Sequence, residues 1–297
     1  YLYLGTDNGI LVNNYRTDKY EQPETDFPTD VRTMALQGDT LWIGSLNGLY
    51  TYQLNTKKLA SLDSKSNGLP HHTIYSIIRT TDNQIYVGTY NGLCRYIEES
   101  GKFENIPLPV NRSVSNLFVN SLLEDTSRQC IWIGMEGSLF QYTPATGLMK
   151  PIDAFHNNSI KSLALDGDGN LLAGTDNGLY VYQNDNGTLQ HIVHDSRNIQ
   201  SLTNYIIWNI FADQEQNIWL GTDYGISLSR YNSALQFIPI SQITGTGDGN
   251  QFYSLFRDSK GFYWFGGTNG VIRFTNPTGN KHDAVWYRMG DKHHPLS

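Results

Sequence analysis

Seven times along the chain the same short text returns: a few apolar residues, a glycine, a small residue, a polar turn and the start of a second apolar run. Its fullest form is Asn217-Ile218-Trp219-Leu220-Gly221-Thr222-Asp223-Tyr224-Gly225-Ile226. The others begin Leu2-Tyr3-Leu4-Gly5-Thr6, Leu41-Trp42-Ile43-Gly44-Ser45, Ile85-Tyr86-Val87-Gly88-Thr89, Ile131-Trp132-Ile133-Gly134-Met135, Leu171-Leu172-Ala173-Gly174-Thr175 and Tyr263-Trp264-Phe265-Gly266-Gly267. Successive glycines stand from 39 residues apart (5 to 44) to 47 (174 to 221). A period of that length marks an array in which each unit is one supersecondary element, and it overrides the two-domain prior that 297 residues would carry.

Each unit divides into four strand signals. Strand a is clearest in Thr73-Ile74-Tyr75-Ser76-Ile77-Ile78; a polar turn leads into the glycine-ended strand b; a turn of the Asn47-Gly48 type returns the chain along strand c, as in Gly48-Leu49-Tyr50-Thr51-Tyr52. A weaker strand d, such as Lys102-Phe103-Glu104-Asn105-Ile106 or Leu235-Gln236-Phe237-Ile238-Pro239, closes it. A single four-stranded sheet cannot bury two apolar faces by itself, so neighbouring sheets must cover both sides. The expected fold is all-β, a seven-bladed β-propeller of four-stranded antiparallel blades, with residues 1–297 as one domain. Seven b strands are matched by only six a strands. Either the first blade has three strands here or its fourth lies outside this stretch; the tail Asp291-Lys292-His293-His294-Pro295-Leu296-Ser297 resembles the lead-in to a further strand a, and the chain reads as a piece of something longer.

Composition excludes several functions. With 21 Lys and Arg against 28 Asp and Glu the net charge is -7, and no basic stripe breaks it, so nucleic acid is not an expected partner. No apolar run approaches the roughly 18 residues of a membrane span. Cys94 and Cys130 fall in different repeats and read as separate free thiols.

Chemistry-bearing motifs are scarce. Asp166-Gly167-Asp168-Gly169-Asn170 looks like the start of a calcium loop but lacks the glutamate at its twelfth position, and reads as a plain turn. His191 and His194, placed on one strand d, point to opposite faces and do not share an ion. The doublets His71-His72 and His293-His294 read as loop histidines, and Trp42, Trp132, Trp219 and Trp264, recurring at one strand position, read as packing between blades. There is no zinc spacing, nucleophile elbow or phosphate loop, so no metal, cofactor or catalytic residue is expected.

The combination of an Ile/Val-x-Ser-Leu strand, an Asp-rich turn, Leu-Trp-Ile-Gly-Thr and Gly-Leu-x-x-Tyr resembles the two-component regulator propeller repeat, found in tandem in the sensor region of hybrid two-component histidine kinases of Bacteroides-type bacteria. Asn217 to Ile226, Cys130 to Gly134, Asn67-Gly68-Leu69-Pro70 and Ser201-Leu202-Thr203-Asn204 carry the likeness; Leu11-Val12-Asn13 and Leu172 depart from it. The resemblance implies a periplasmic domain that detects oligosaccharides from polysaccharide breakdown, beside a second propeller and an immunoglobulin-like domain of the same chain, in a homodimeric parent with a membrane helix and a kinase. The repeat motif is scaffold and transfers no ligand contact.

The residues themselves point to one face. In an up-and-down blade the d to a and b to c connections share an end, so the first residues of each strand a and the glycine turns gather there. Aligned a strands give an apolar column (Val31, Ile74, Val119, Ile160, Ile207, Phe252) and, two residues on, a small polar column (Thr33, Ser76, Ser121, Ser162, Asn209, Ser254). Between them stand Arg32, Tyr75, Asn120, Lys161, Trp208 and Tyr253, which simple alternation puts on the opposite face, in line with Met34, Ile77, Leu122, Leu163, Ile210 and Leu255. With Tyr90 and Tyr224 from the b to c turns, these are the candidate ligand-binding residues: aromatic faces to stack on a sugar ring, cations and an amide to bind its polar groups. A receptor module is the favoured reading. The alternatives are a propeller enzyme acting on glycans, a lyase or glycosidase, and a scaffold in which these residues plug the channel or meet a neighbouring domain.

Overall fold

The computed structural model describes residues 1–297 except 15–16, 18, 22–24, 64, 110–116, 156–157, 184, 199, 232–236, 240–249, 276–283, 290–294 and 297. It divides into two compact units, Tyr1–Asn157 and Asn158–Ser297.

In the first unit, a three-stranded sheet joins β1 (Leu2–Thr6), β2 (Gly9–Asn14) and β3 (Lys19–Glu21). Three four-stranded sheets follow: β4 to β7 (Val31–Gln37, Thr40–Ser45, Gly48–Gln53, Lys58–Leu62), β8 to β11 (Ile74–Arg79, Ile85–Thr89, Gly92–Ile97, Lys102–Ile106), and β12 to β15 (Val119–Asp125, Cys130–Met135, Ser138–Thr143, Leu148–Pro151). In the second unit, β16 to β19 (Ile160–Leu165, Leu171–Thr175, Gly178–Tyr182, Leu189–Ile192) and β20 to β23 (Ile207–Ala212, Ile218–Thr222, Gly225–Ser229, Phe237–Pro239) form two more. The last sheet, β24 to β28 (Phe252–Arg257, Tyr263–Gly267, Gly270–Phe274, Val285–Met289, Pro295–Leu296), adds a short fifth strand.

The chain is thus all-β and built of propeller blades whose strands, the short β28 apart, pair antiparallel in sequence order. Among the described residues the sheets of at least four strands number six, not the seven blades expected, because the first sheet shows three strands and enters at strand b. Pro295–Leu296, read from sequence as a lead-in, pairs parallel with Arg288 and Met289 instead. His293 and His294, like Leu235 and Gln236 of the expected strand d, lie outside the described residues.

The repeated glycine has a packing cause. A Cβ at Gly44 would lie 2.6 Å from Cγ2 of Ile74, the first residue of the next blade's β8; at Gly174 it would lie 2.6 Å from Cγ2 of Ile207, and at Gly5 2.5 Å from Cγ1 of Val31. Carbon pairs prefer about 3.5–4.0 Å, so only a missing side chain lets one blade's second strand meet the next blade's first this closely. Buried clusters form around these contacts, such as Trp42, Leu49, Ile74, Ile77, Ile85 and Val87 in the first unit and Leu172, Leu179, Ile207, Ile210 and Leu220 in the second.

The first strand of all six complete blades carries an irregularity that alternation does not foresee. Val31 pairs with Ser45 and Thr33 with Gly44, so Arg32 is an extra residue, a β-bulge. The same shift recurs at Tyr75, Asn120, Lys161, Trp208 and Tyr253. Two residues then span one step of the partner, and side chains before and after the bulge fall on opposite faces. Val31 accordingly presses back on Gly5, in company with Met34. Thr33 faces forward, its Oγ1 accepting the Ile77 N–H at 3.2 Å. Ser76 donates forward to the Val119 carbonyl (3.3 Å), and Ser162 accepts the Ile210 N–H (2.8 Å). The expectation that the apolar and hydroxyl columns share a face, with Met34 and its equivalents opposite, is therefore corrected: the bulge resets the alternation.

The tryptophans of strand b are buried, as their recurrence indicated. Their indole N–H groups are satisfied at the end of the preceding strand or in the turn after it, Trp132 by Asp125 (3.1 Å), Trp219 by Asp213 (2.9 Å), Trp264 by Asp258 (2.7 Å) and Trp42 by Gln37 (3.0 Å). The same carboxylates cap the turn backbone: Asp213 accepts the Asn217 N–H at 2.8 Å. Where Leu172 replaces Trp, Asp166 keeps only the capping task, accepting the N–H groups of Asp168 (3.0 Å) and Asn170 (2.8 Å), so the calcium-like loop is a turn. His191 stacks on Tyr180 and bonds the Asn177 carbonyl. His194 bonds the Leu202 carbonyl and, contrary to expectation, lies past the end of β19.

Candidate functional site

Six of the eight candidate residues are the bulge residues themselves. A bulge takes a residue out of the ladder and re-aims its side chain, so Arg32, Tyr75, Asn120, Lys161, Trp208 and Tyr253 are released from packing on either sheet face. The bulges lie at the start of each strand, the end where the preceding lead-in and the b to c turn also lie. The eight residues divide between the units, four in each.

In the second unit Lys161, Trp208 and Tyr253 come together. The Lys161 ammonium lies over the Trp208 ring, 4.5 Å from its centroid, a cation–π contact. Tyr253 meets the same indole edge-on at 5.3 Å. Trp208 donates its Nε1–H to Oδ1 of Asp223 at 2.6 Å, and Gln251 donates to the same oxygen at 3.0 Å. The Tyr253 hydroxyl in turn donates to Oε1 of Gln251. These bonds fix the plane of the indole and leave aromatic surface open: Tyr253 is 37% exposed. Tyr224, 49% exposed, stands one turn position beyond Asp223, held by its N–H to Oγ1 of Thr222.

In the first unit the gathering is a ladder of rings. His72 stacks on His71 with centroids 4.3 Å apart, His71 meets Tyr90 at 4.9 Å, Tyr90 meets Phe118 at 4.0 Å, and Phe118 meets Tyr75 at 5.9 Å. Burial in this stack pushes the Tyr75 hydroxyl pKa up, with a further push from Tyr90, while the Arg32 charge pulls it back. Burial, then the neighbouring His72, holds the His71 imidazole below its ordinary value, and its Nδ1 accepts the Thr73 N–H at 3.0 Å, a bond only the neutral ring makes. Tyr90 keeps 40% of its surface exposed. Arg32 is exposed and Asn120 half-buried at their bulges. Among the described residues neither Arg32 nor Lys161 is held in an ion pair.

Sequence reasoning missed Phe118, Asp223 and Gln251 and set His71 and His72 aside. Phe118 and Gln251 each stand one residue before a first strand, a position the column alignment did not extend to. Asp223 occupies the turn position of Tyr90, two residues after the repeat glycine; Tyr224 is three after, so the two turn tyrosines are not equivalent. Within each unit the arrangement suits binding: ring faces with a guanidinium and an amide in the first, and an indole and phenol with an ammonium, an amide and a carboxylate in the second. Among the described residues no group of three or more His, Cys, Asp or Glu is placed to hold a metal ion.

Comparison with known proteins agrees with the repeat. A model described as the two component regulator propeller matches residues 68–91, 201–224 and 246–269. The chain is similar over its whole length, at 82% identity and a TM-score of 0.76, to 40% of a solved structure from B. thetaiotaomicron described as the extracellular domain of a hybrid two component system. It is 28% identical over 92% of its length to 21% of a histidine kinase of Formosa agariphila, so it spans well under half of either relative. A streptogramin B lyase structure, 15% identical with a TM-score of 0.65 over 87% of this chain and 83% of its own, shares the fold alone. No helix among the described residues is long and apolar enough to cross a membrane.

Proposed function

The chain carries two-component regulator propeller repeats, and from that premise we propose that residues 1–297 are one seven-bladed sensor domain, on the outer side of the membrane, of a hybrid two-component histidine kinase. The domain binds and does not catalyse. Its ligand is an oligosaccharide released from a polysaccharide, and binding shifts the geometry of neighbouring propeller and immunoglobulin-like domains in a homodimeric parent. The observation that carries the ligand reading is the bulge. Six blades repeat it at one position, and the side chains it frees are Arg32, Tyr75, Asn120, Lys161, Trp208 and Tyr253, with Tyr90 and Tyr224 on the adjoining turns.

A scaffold would be served by any small residue at these places. Aromatic faces and cations left partly open to solvent at the same repeat position in each unit are the groups a binding surface uses. Stacking of a sugar on an exposed ring, with hydrogen bonds from flanking polar groups, is the recognition such a set supports. Titration calorimetry with a panel of polysaccharide fragments is the test. Trp208→Ala, Tyr253→Ala and Arg32→Ala are expected to weaken a bound fragment at least about tenfold each, since losing one hot-spot contact costs over about 1.4 kcal/mol. Unchanged affinity in all three folded variants would move the site elsewhere, and turnover of a fragment abolished by one of them would establish the enzyme instead.

A further inference from the structure

In the first unit a cavity of about 280 Å³ lies back to back with the ring ladder. Three pairs of chain neighbours build both. Pro70, Asn91 and Leu117 line the cavity, while His71, Tyr90 and Phe118 beside them are successive rings of the ladder. Backbone bonds hold these walls. Gly92 donates its N–H to the Leu117 carbonyl at 3.1 Å, next to a parallel bridge between Asn91 and Leu117, and Tyr90 donates to the Thr73 carbonyl at 3.0 Å. Asn105 of β11 and Leu108 just after it complete the lining. Phe103 of the same strand donates to the Asn67 carbonyl at 2.7 Å, which ties the lead-in bearing Pro70 to β11.

The lining has the chemistry that an uncharged sugar ring needs. Pro70, Leu93, Leu108 and Leu117 give it apolar surface, and among the described residues that line it none carries a charge. Asn91 and Asn105 are exposed, and among the described residues neither side-chain amide is bonded to another group. Each amide offers two donors and an acceptor, the complement of hydroxyls that both donate and accept. The volume falls just under the roughly 300–1,000 Å³ of pockets for larger small molecules, so there is room for one ring and not for a chain. Leu93, 1% exposed, lies at the base, so the cavity is closed at its inner end.

We propose that this cavity is an end subsite, taking the terminal uncharged sugar unit of an oligosaccharide whose next units stack on Tyr90 and the rings beside it. The proposal rests on the ligand reading above and adds to it that the domain reads a chain end, which a released fragment presents far more often than an intact polymer does.

The test uses the 297-residue protein with leucine methyls labelled for NMR, and neutral tetrasaccharides of glucose, galactose, mannose and xylose, with one of galacturonic acid alongside. A neutral tetrasaccharide is expected to shift the Leu108 and Leu117 methyls. Asn105→Trp, which fills the cavity from an exposed position, is expected to weaken it at least about tenfold in calorimetry. The gentler Asn91→Ala and Asn105→Ala each remove one amide and are expected to cost about three- to tenfold. Tyr90→Ala is expected to weaken the same fragment, and a bulky aromatic cap on one end of it, but not on the other, to abolish the methyl shifts. If a tetrasaccharide binds and Tyr90→Ala or Trp208→Ala weakens it, while the two methyls stay still and the Asn91 and Asn105 variants bind normally, the sensor reading stands and the end subsite is refuted. Equal tolerance of caps at both ends, or tighter binding of the galacturonic acid fragment with the same methyl shifts, also overturns the proposal. Failure of every tetrasaccharide to bind overturns both the subsite and the reading it rests on.

Discussion

Replacing Gly44 by alanine puts the inter-blade packing to a quantitative test. The residue lies in an extended strand, so the backbone accepts a side chain, and relief of glycine's unfolded-state entropy should by itself stabilise the protein by about 0.5–1 kcal/mol. The new methyl, however, would stand 2.6 Å from Cγ2 of Ile74, 2.7 Å from Cγ2 of Thr33 and 3.1 Å from Cβ of Ile74. Those atoms belong to strands, not to the free ends of long chains, and Ile74 is 0% exposed. Restoring contacts of about 3.5–4.0 Å demands a shift near 1 Å between β5 and β8 of the facing blade, with Thr33 of the paired β4 in the way as well. Overpacking of that kind costs about 1–3 kcal/mol, occasionally more. With contacts on two sides and both partners fixed, a net loss of about 2 kcal/mol is expected, or roughly 4–8 °C in Tm. Denaturant unfolding followed by tryptophan fluorescence reads it. A double-mutant cycle isolates the contact: Ile74→Ala alone should cost about 2–5 kcal/mol, but in the Gly44→Ala background about 1–2 kcal/mol less, because it removes the atoms the methyl strikes. The reasoning fails if Gly44→Ala is neutral or stabilising, or if the two costs add within about 0.5 kcal/mol.

Two further outcomes follow from the buried turn carboxylates. Asp213→Ala should destabilise the second unit by about 2–4 kcal/mol, since the indole N–H of Trp219 and the hydroxyl of Tyr263, both at 2.9 Å from the same oxygen, lose their partner inside the core; Asp213→Asn, which keeps one acceptor oxygen, should lose less, and equal losses would show that the bonds are not the cause. At Asp125 burial pushes the carboxyl pKa up, but hydrogen bonds from Ser127, Arg128 and Trp132 together outweigh it and hold the folded value below the ordinary one. The stability this confers is therefore present above the unfolded-state pKa of about 3.9 and lost as pH falls through the depressed folded value. Melting curves on the acid side should show Asp125→Asn with a shallower pH dependence than the wild type; parallel curves would refute the assignment.

The array, its period and its four strands per unit were legible because each is a local property: apolar runs, Asn-Gly turns and a recurrent glycine do not need distant residues to interpret them. Trp132 and Trp219 were legible as packing for the same reason, recurrence at one strand position. The eight candidate residues came from aligning repeats, and the alignment found the position without finding its cause. Whether Arg32 or Trp208 leaves the ladder is decided by pairing with a strand that follows it in sequence, and a one-residue register shift has no signature in the strand that bears it. That is why alternation put the Thr33 and Val31 columns on one face and the structure puts them on two. The repeat glycine is a similar case: sequence shows that Gly44 recurs, while the reason, Ile74 of the next blade standing where its Cβ would be, exists only once two blades are packed. The partners that orient the rim, Asp223 for Trp208 and Phe118 for Tyr90, come from a turn and a lead-in separated from their targets in the chain, and only tertiary structure brings such groups within hydrogen-bonding or stacking distance.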